Sequence, residues 1–180
     1  MRTTAVPSML DILSRNYAYH NKSVKLYELA KVYLPLPGQT LPAEPKFLML
    51  GTYGAGASFF SLKGELESVF SELRIQPARY EADKCNPTYH PGRCAKVTVD
   101  GVDVGYIGQI HPLVAQNYGI DCEVYCAEIN FSILFDHQLP EATYVPLPKF
   151  PTVTRDLSIV CDEAGDRQEP AFPPCATGLP

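Results

Sequence analysis

Cysteine and histidine side chains offer the most obvious metal-binding chemistry in this sequence. Cys85, His90, Cys94 and His111 are of the residue types that bind zinc. Their spacing matches no standard zinc pattern, and the six cysteines of the chain form no CxxC pair. We therefore expect free, buried thiols. A metal-dependent enzyme that uses these four residues is kept as an alternative.

Two other segments contain residues that could bind an anion. Gly51, Gly54 and Gly56 cluster before a predicted helix, but Ala57 follows where a phosphate-binding loop of the Walker type needs Gly-Lys-Ser/Thr. The pattern favours a plain turn from strand to helix. His90 and Arg93 flank Pro91-Gly92, and this segment is predicted to be a turn whose polar side chains are satisfied locally.

Nucleophilic catalysis has no support in the sequence. Its serines and histidines show neither a nucleophile elbow nor the spacing of a catalytic triad. Glu65 and Glu67 lie two positions apart in a predicted helix, so their carboxylates point in different directions. We predict no catalytic, cofactor-binding or metal-binding residue in this chain.

Composition limits the classes of protein to which the chain can belong. Its 180 residues suffice for one domain with a core, and 46% hydrophobic with 19% charged residues argue against general disorder. A formal net charge of −5 provides no excess of cations for a phosphate backbone. With no apolar run near 18 residues and no secretory signal at the N-terminus, the expected location is the cytosol, away from membranes.

Periodicity predicts the elements of the first half. Apolar residues at helical spacing, with Pro7 in the first turn, predict a helix over residues 6–18. Alternation over 24–34 predicts a strand, and 47–53 a second one. A long apolar stripe predicts a core-packed helix from residue 59 to 73, capped by Ser58.

A hairpin is the clearest local signal in the second half. Asp100-Gly101 separates two apolar alternating runs, as in a two-residue turn with positive φ at both positions. The predicted register opposes Val99 to Val102, and it therefore also opposes Val97 to Val104 and Ala95 to Tyr106.

The remaining elements complete an α+β pattern. We predict a short helix from His111-Pro112 to Tyr118, a strand over 124–131 and a helix over 131–137 capped by Asn130. This order indicates an α+β domain with a largely antiparallel sheet. Residues 155–160 form a further predicted strand without a partner, and the proline-rich residues 164–180 are expected to be disordered.

Several ordered segments resemble the beta subunit of bacterial-type phenylalanine-tRNA ligase. These are Met1–Leu10, Leu26–Ala30, the Phe-Phe-Ser-Leu-Lys-Gly run at 59–64, His90–Arg93 and Gly105–Pro112. Together they span about residues 1–138 in the family's order. Residues 148–160 are similar to the entry into the family's ferredoxin-like anticodon-binding domain, and the resemblance ends near Glu163.

The resemblance implies a domain organisation. Residues 1–139 would form a non-catalytic domain like a class II aminoacyl-tRNA synthetase core, an incomplete antiparallel sheet flanked by helices. Residues 140–163 would be a linker and the first strand of a truncated anticodon-binding domain, with 164–180 as the disordered tail. The chain is thus expected to be a late fragment of the subunit: a paralogue, a split gene product or an incomplete gene model.

The resemblance also implies partners and cofactors. The family forms a cytoplasmic heterotetramer of two alpha and two beta chains, which attaches phenylalanine to its tRNA with ATP and magnesium. The alpha chain is implied to hold the synthetic site, so no cofactor is expected in this chain. The present chain would bind an alpha subunit and a second alpha/beta pair. It would contact tRNA through the complete complex.

The residue types of one segment indicate whether this chain could bind a nucleotide itself. A class II site uses a motif like Gly-x-Gly-x-x-Arg to hold nucleotide phosphate, and the corresponding positions here are Glu128, Asn130 and Ile133. A carboxylate would repel triphosphate, and isoleucine cannot donate a hydrogen bond. We predict a scaffold domain of the ligase; an independent RNA-binding module and a non-functional truncated fragment are the alternatives.

Overall fold

Four helices and six strands form the part of the chain that the computed structural model describes, residues 2–140 together with residue 144. The chain divides into two units, Met1–Ala142 and Thr143–Pro180, and the described elements belong to the first. They are α1 Val6–Ala18, β1 Ser23–Lys31, β2 Lys46–Gly54, α2 Phe59–Glu72, β3 Arg79–Ala82, β4 Tyr89–Val99, β5 Val102–Ile110, α3 Pro112–Asn117, β6 Val124–Asn130 and α4 Phe131–Asp136. The predicted strand at 155–160 and tail at 164–180 lie outside the described residues.

All six strands join one antiparallel sheet in the order β1-β2-β6-β5-β4-β3. The predicted α+β class with an antiparallel sheet is therefore confirmed. Strand β6, the last of the described strands, lies between β2 and β5 and so connects β1 and β2 with β5, β4 and β3. Strands β1 and β3 form the two edges of the sheet.

Each face of the sheet carries its own hydrophobic core. The first core packs α1 and α3 against one face, with Met9, Leu13 and Met49 among its buried members. The second core packs α2 and α4 against the other face, with Leu66 and Ile129 fully buried. Successive residues of a strand point to opposite faces, so β6 contributes to both cores.

Local signals set the helix boundaries as predicted. Helix α1 covers the predicted residues 6–18, with proline in its first turn, and His20 ends it in a left-handed conformation at φ 60°. Ser58 caps α2 as predicted: its hydroxyl accepts from Ser61 N at 3.0 Å, while Ser61 Oγ accepts from Ser58 N at 2.9 Å. This reciprocal pair satisfies two backbone donors of the first turn.

Strand β1 is shorter than predicted. It ends at Lys31, and Leu34 makes only an isolated bridge to Ala43. The prolines from residue 35 onward interrupt the backbone hydrogen bonding that a longer strand would need. Its even-numbered residues face the first core as predicted, and Glu28 lies among them because Arg2 Nη2 donates to its carboxylate at 2.9 Å.

The hairpin turn is confirmed, but the predicted register beyond it is wrong. Asp100 and Gly101 both have positive φ, at 51° and 78°. After the predicted Val99–Val102 pair, Val97 opposes Gly105 instead of Val104, and Ala95 opposes Ile107 instead of Tyr106. One extra residue on β5 forms a β-bulge, which moves Ile107 onto the second core and Tyr106 onto the first.

Two strand segments were not predicted. Strand β3 has only one residue, Tyr80, that is not fully exposed, so it shows no alternation of apolar residues. Strand β4 begins at Tyr89 rather than at residue 95. The predicted turn at His90–Arg93 therefore lies inside this strand, where the pairing with β5 shifts register between Tyr89 and Cys94.

Candidate functional site

Glu128, where the family resemblance implies that a nucleotide-binding motif would begin, lies at the N-terminus of α1. Its Oε1 accepts hydrogen bonds from Thr4 Oγ1 at 2.7 Å and from Ala5 N at 2.6 Å. Ala5 is the N-cap residue of α1 and offers no side-chain cap of its own. The carboxylate therefore satisfies a buried backbone donor that the helix itself leaves unpaired, at the positive end of the helix.

Buried side chains of the first core occupy the sheet face on which Glu128 lies. A Cβ added to Gly51 on β2 would come within 2.7 Å of Met9 Cγ and 3.1 Å of Leu13 Cδ1, so α1 contacts the strand backbone directly. Met49 and Cys126 on the same face are fully buried. A triphosphate at this position would have to displace packed apolar side chains, at a cost of several kcal/mol.

Asn130 and Ile133 also have structural roles. Asn130 Oδ1 accepts from Ile133 N at 3.2 Å, which makes Asn130 the N-cap of α4, as predicted. The Ile133 side chain packs against the second core. Residues 128–133 thus cap the N-terminus of α1 and form the start of α4.

Replacing Glu128 with alanine is expected to lower the free energy of unfolding by about 1–3 kcal/mol, because Ala5 N and Thr4 Oγ1 lose their acceptor. Urea unfolding followed by circular dichroism measures this change. Glu81→Ala is the matched control, since Glu81 is exposed on edge strand β3. Equal stability of the two variants would contradict the capping role.

Two of the four proposed metal ligands, His90 and His111, lie close together. The rings of His90 and His111 stack with centroids 6.4 Å apart. Each Nδ1 already accepts a backbone hydrogen bond, from Gly92 N at 3.0 Å and from Leu113 N at 3.2 Å. Within residues 2–140, no group of three or more histidine, cysteine or acidic side chains is arranged to hold a metal ion.

The cysteines differ in burial. The prediction of buried thiols is correct for Cys94 and Cys126 and wrong for Cys85, which lies exposed in the loop between β3 and β4. Cys122 is half-buried, and Cys161 and Cys175 lie outside the described residues. Burial raises the pKa of the Cys94 thiol to about 11. Burial, with the nearby Glu128 carboxylate, raises the pKa of Cys126 still further.

In the native chain at pH 8, we expect a disulfide reagent such as DTNB to modify Cys85 rapidly and to leave Cys94 and Cys126 unmodified until the fold opens. With a pKa of about 11, roughly one Cys94 thiol in a thousand is ionised at that pH, and the thiol is buried as well. Peptide mass mapping after brief labelling assigns the modified residues. Labelling of Cys94 as fast as Cys85 would contradict the described packing.

Arg93 belongs to a polar network at one end of a surface groove. Its Nη1 donates to Gln109 Oε1 and to Glu123 Oε1, both at 2.8 Å, and Tyr125 Oη donates to Glu123 Oε2 at 2.7 Å. The hydrogen bonds from Tyr125 and Arg93 hold the pKa of Glu123 below its usual value, so the carboxylate is ionised at neutral pH. No local pattern could have predicted the pair of Arg93 with Glu123, because 30 residues separate them.

This Arg93 groove lies between the first turn of α2 and strands β3, β4 and β6. Its volume is about 680 Å³. Its lining is mostly apolar and aromatic, with Phe59, Phe60, Tyr80 and Tyr125 beside Arg93.

A second surface feature, the β1 groove, lies along the edge of the sheet. It has a volume of about 490 Å³ and is lined by Tyr27, Leu48, Leu50, Ser68, Val69, Glu72, Leu73 and Phe131. Tyr27 is 78% exposed and the neighbouring Leu29 49% exposed, on a nine-residue edge strand. An exposed apolar strip beside unpaired strand edges is typical of a protein contact surface.

None of the helices at 2–140 combines the length and the apolar character needed to cross a membrane.

Comparison with known proteins places these features in a family context. Residues 1–131 match the family model described as the phenylalanyl tRNA synthetase beta chain CLM domain. The phenylalanine–tRNA ligase beta subunit of Clostridium tetani is 42% identical over 164 residues, which is 91% of this chain and 21% of the relative. Those of Clostridium acetobutylicum and Symbiobacterium thermophilum are 38% and 37% identical, over 91% and 90% of this chain and 21% and 19% of the relatives.

Proposed function

The chain belongs to the phenylalanyl-tRNA synthetase beta-chain family, and from that premise we propose that it serves as a structural part of the beta subunit without a nucleotide site of its own. It spans about a fifth of the length of the curated relatives that it matches. The activity of the whole ligase is therefore not assigned to this chain. The aminoacylation of tRNA is the process that it would support.

The capping contacts of Glu128 are the main support for this proposal. In the place where a synthetase core needs glycine to admit a phosphate, Glu128 caps α1, and the surrounding sheet face is packed with apolar side chains. An antiparallel sheet with helices on both faces is compatible with a class II synthetase-like core. A core of this kind that lacks phosphate ligands would contribute to the ligase by binding other subunits through its surface.

We propose that the chain binds the alpha subunit through the β1 groove. The exposed side chain of Tyr27 lines the groove, and the exposed side chain of Leu29 lies two residues further along the same edge strand. Burying an aromatic and a branched apolar side chain contributes about 1.5–3 kcal/mol each. The stoichiometry of two alpha and two beta chains, the use of ATP and magnesium, contact with tRNA through the complete complex, and a cytosolic location stay predictions of the family resemblance.

Size-exclusion chromatography with a phenylalanine-tRNA ligase alpha subunit tests the proposal. The folded 180-residue chain is expected to co-migrate with the alpha subunit. Tyr27→Asp is expected to abolish co-migration, because it places a charge in the apolar groove. Tyr19→Asp is the matched control, since Tyr19 is 81% exposed at the end of α1 and away from this groove.

Two results would count against this function. Separate elution of the folded wild-type chain and the alpha subunit would contradict the proposed structural role. Co-migration of Tyr27→Asp at the wild-type level would remove the β1 groove as the contact surface. A filter-binding titration of the chain with tRNA tests the RNA-binding alternative, which the net charge of −5 disfavours.

A further inference from the structure

We propose that the Arg93 groove binds an aromatic carboxylate, with the carboxylate on the guanidinium of Arg93 and the ring among the aromatic side chains that line the groove. This site is independent of the structural role proposed above. It also lies on the face of the sheet that α2 covers, opposite the face on which Glu128 caps α1. The inference rests on three features of the groove.

The first feature is an available edge of Arg93. Nη1 uses its hydrogens on Gln109 and Glu123, whereas Nε and Nη2 make no hydrogen bond within the described part of the chain. An arginine presents two parallel N–H donors that match the two oxygens of a carboxylate. The side chain is 50% exposed, so a ligand can reach these donors from solvent.

The second feature is that the neighbouring acid, Glu123, already has partners for both of its carboxylate oxygens. Glu123 accepts from Arg93 through one oxygen and from Tyr125 through the other. This arrangement holds the carboxylate of Glu123 in place and also orients the guanidinium. Arginine can accept a second carboxylate on its remaining edge, because the two anions are then separated by the cation.

The third feature is the aromatic lining of the groove that Arg93 shares. Phe60 is 79% exposed, and its ring meets the ring of Phe59 edge to face with centroids 5.6 Å apart. Tyr80 and Tyr125 line the same groove. Their rings add to the aromatic surface against which a flat ring can pack.

The size and composition of the groove fit a small ligand. Ligand pockets commonly have volumes of about 300–1,000 Å³, mostly apolar walls and a few polar groups. The Arg93 groove has about 680 Å³ and combines aromatic walls with one polar end. The polar end selects for a carboxylate, and the aromatic walls select for a flat ring next to it.

Amide NMR titration of the full 180-residue chain with 3-phenylpropionate tests the inference. Saturable shifts are expected at Ser58, Phe60 and Arg93, which line the groove. Phenethylamine has the same ring with a cation in place of the carboxylate, and it is expected to cause no saturable shift. A short peptide that ends in phenylalanine, with a free or an amidated C-terminus, shows whether the site takes a peptide terminus as well as a free acid.

Variants separate binding from folding. Arg93→Gln is expected to weaken the affinity for 3-phenylpropionate at least about tenfold, because a charge-assisted bidentate contact is lost. Phe60→Ala is expected to weaken it several-fold, and the exposure of Phe60 keeps this change compatible with the fold. Arg79→Gln, an exposed arginine on β3 outside the groove, is expected to bind like the wild type.

Three results would overturn the site. These are the absence of saturable shifts in the wild type up to the solubility limit of the probe, equal binding of the amine and the acid, and unchanged affinity in Arg93→Gln. A circular dichroism melt accompanies each variant, so that a loss of binding is scored only in a folded chain. Binding of the free acid alone identifies a small molecule as the ligand, and equal binding of the free-terminus peptide identifies a chain terminus.

Discussion

Gly105→Ala is expected to lower the free energy of unfolding by at least about 3 kcal/mol, which is a large share of the stability of a domain of this size. Gly105 has φ 154°, and a Cβ at this position would lie 1.9 Å from the carbonyl oxygen of Glu128 on β6. Because that oxygen belongs to the backbone of a central strand, the clash cannot be relieved by a side-chain rotation. Relief requires that β5 and β6 separate at the bulge.

Gly101→Ala is the matched control for this prediction. Gly101 also has a positive φ, 78°, but its Cβ would meet no atom within 4 Å. The expected loss is therefore about 1 kcal/mol, the cost of the backbone conformation alone. Urea unfolding by circular dichroism measures both variants, and equal losses would show that the close approach of β5 to β6 does not constrain the fold.

Leu66→Ala is expected to lower the free energy of unfolding by about 3–5 kcal/mol, because it leaves a cavity in the second core. Leu66 is fully buried between α2 and the sheet. Alanine preserves the helix, so the change reports packing rather than helix propensity. Leu113→Ala on α3 is the control: Leu113 is 64% exposed, and a change within about 0.5 kcal/mol is expected.

Urea unfolding followed by circular dichroism measures both variants and so tests how tightly α2 packs on the sheet. A loss below about 1 kcal/mol for Leu66→Ala would mean that α2 does not pack tightly on the sheet. The Arg93 groove, which α2 lines with its first turn, would then lose one of its walls.

Elements with strong local signals could be predicted from the sequence. Pro7 with an apolar stripe predicted α1, and Ser58 predicted the start of α2, because capping and periodicity act within a few residues. The turn at Asp100-Gly101 was predicted for the same reason. The α+β class follows from the order of such elements.

Features that depend on distant residues were not predicted. The register of β5 changes at Gly105, where the backbone of β6 approaches, and no signal near the hairpin shows this approach. The short edge strand β3 exposes most of its side chains and therefore lacks a periodic pattern. Glu128 was predicted to be unsuitable for phosphate, but its contacts at Thr4 and Ala5 lie more than 120 residues away in sequence.

The most direct test of the account is a titration of the folded chain with magnesium ATP, monitored at the backbone amides of Thr4, Ala5 and Glu128. If Glu128 caps α1 and the first core fills the sheet face around it, these amides should show no saturable shift. A saturable shift confined to these three residues would show that the face admits a nucleotide, and it would contradict the structural role proposed for this chain.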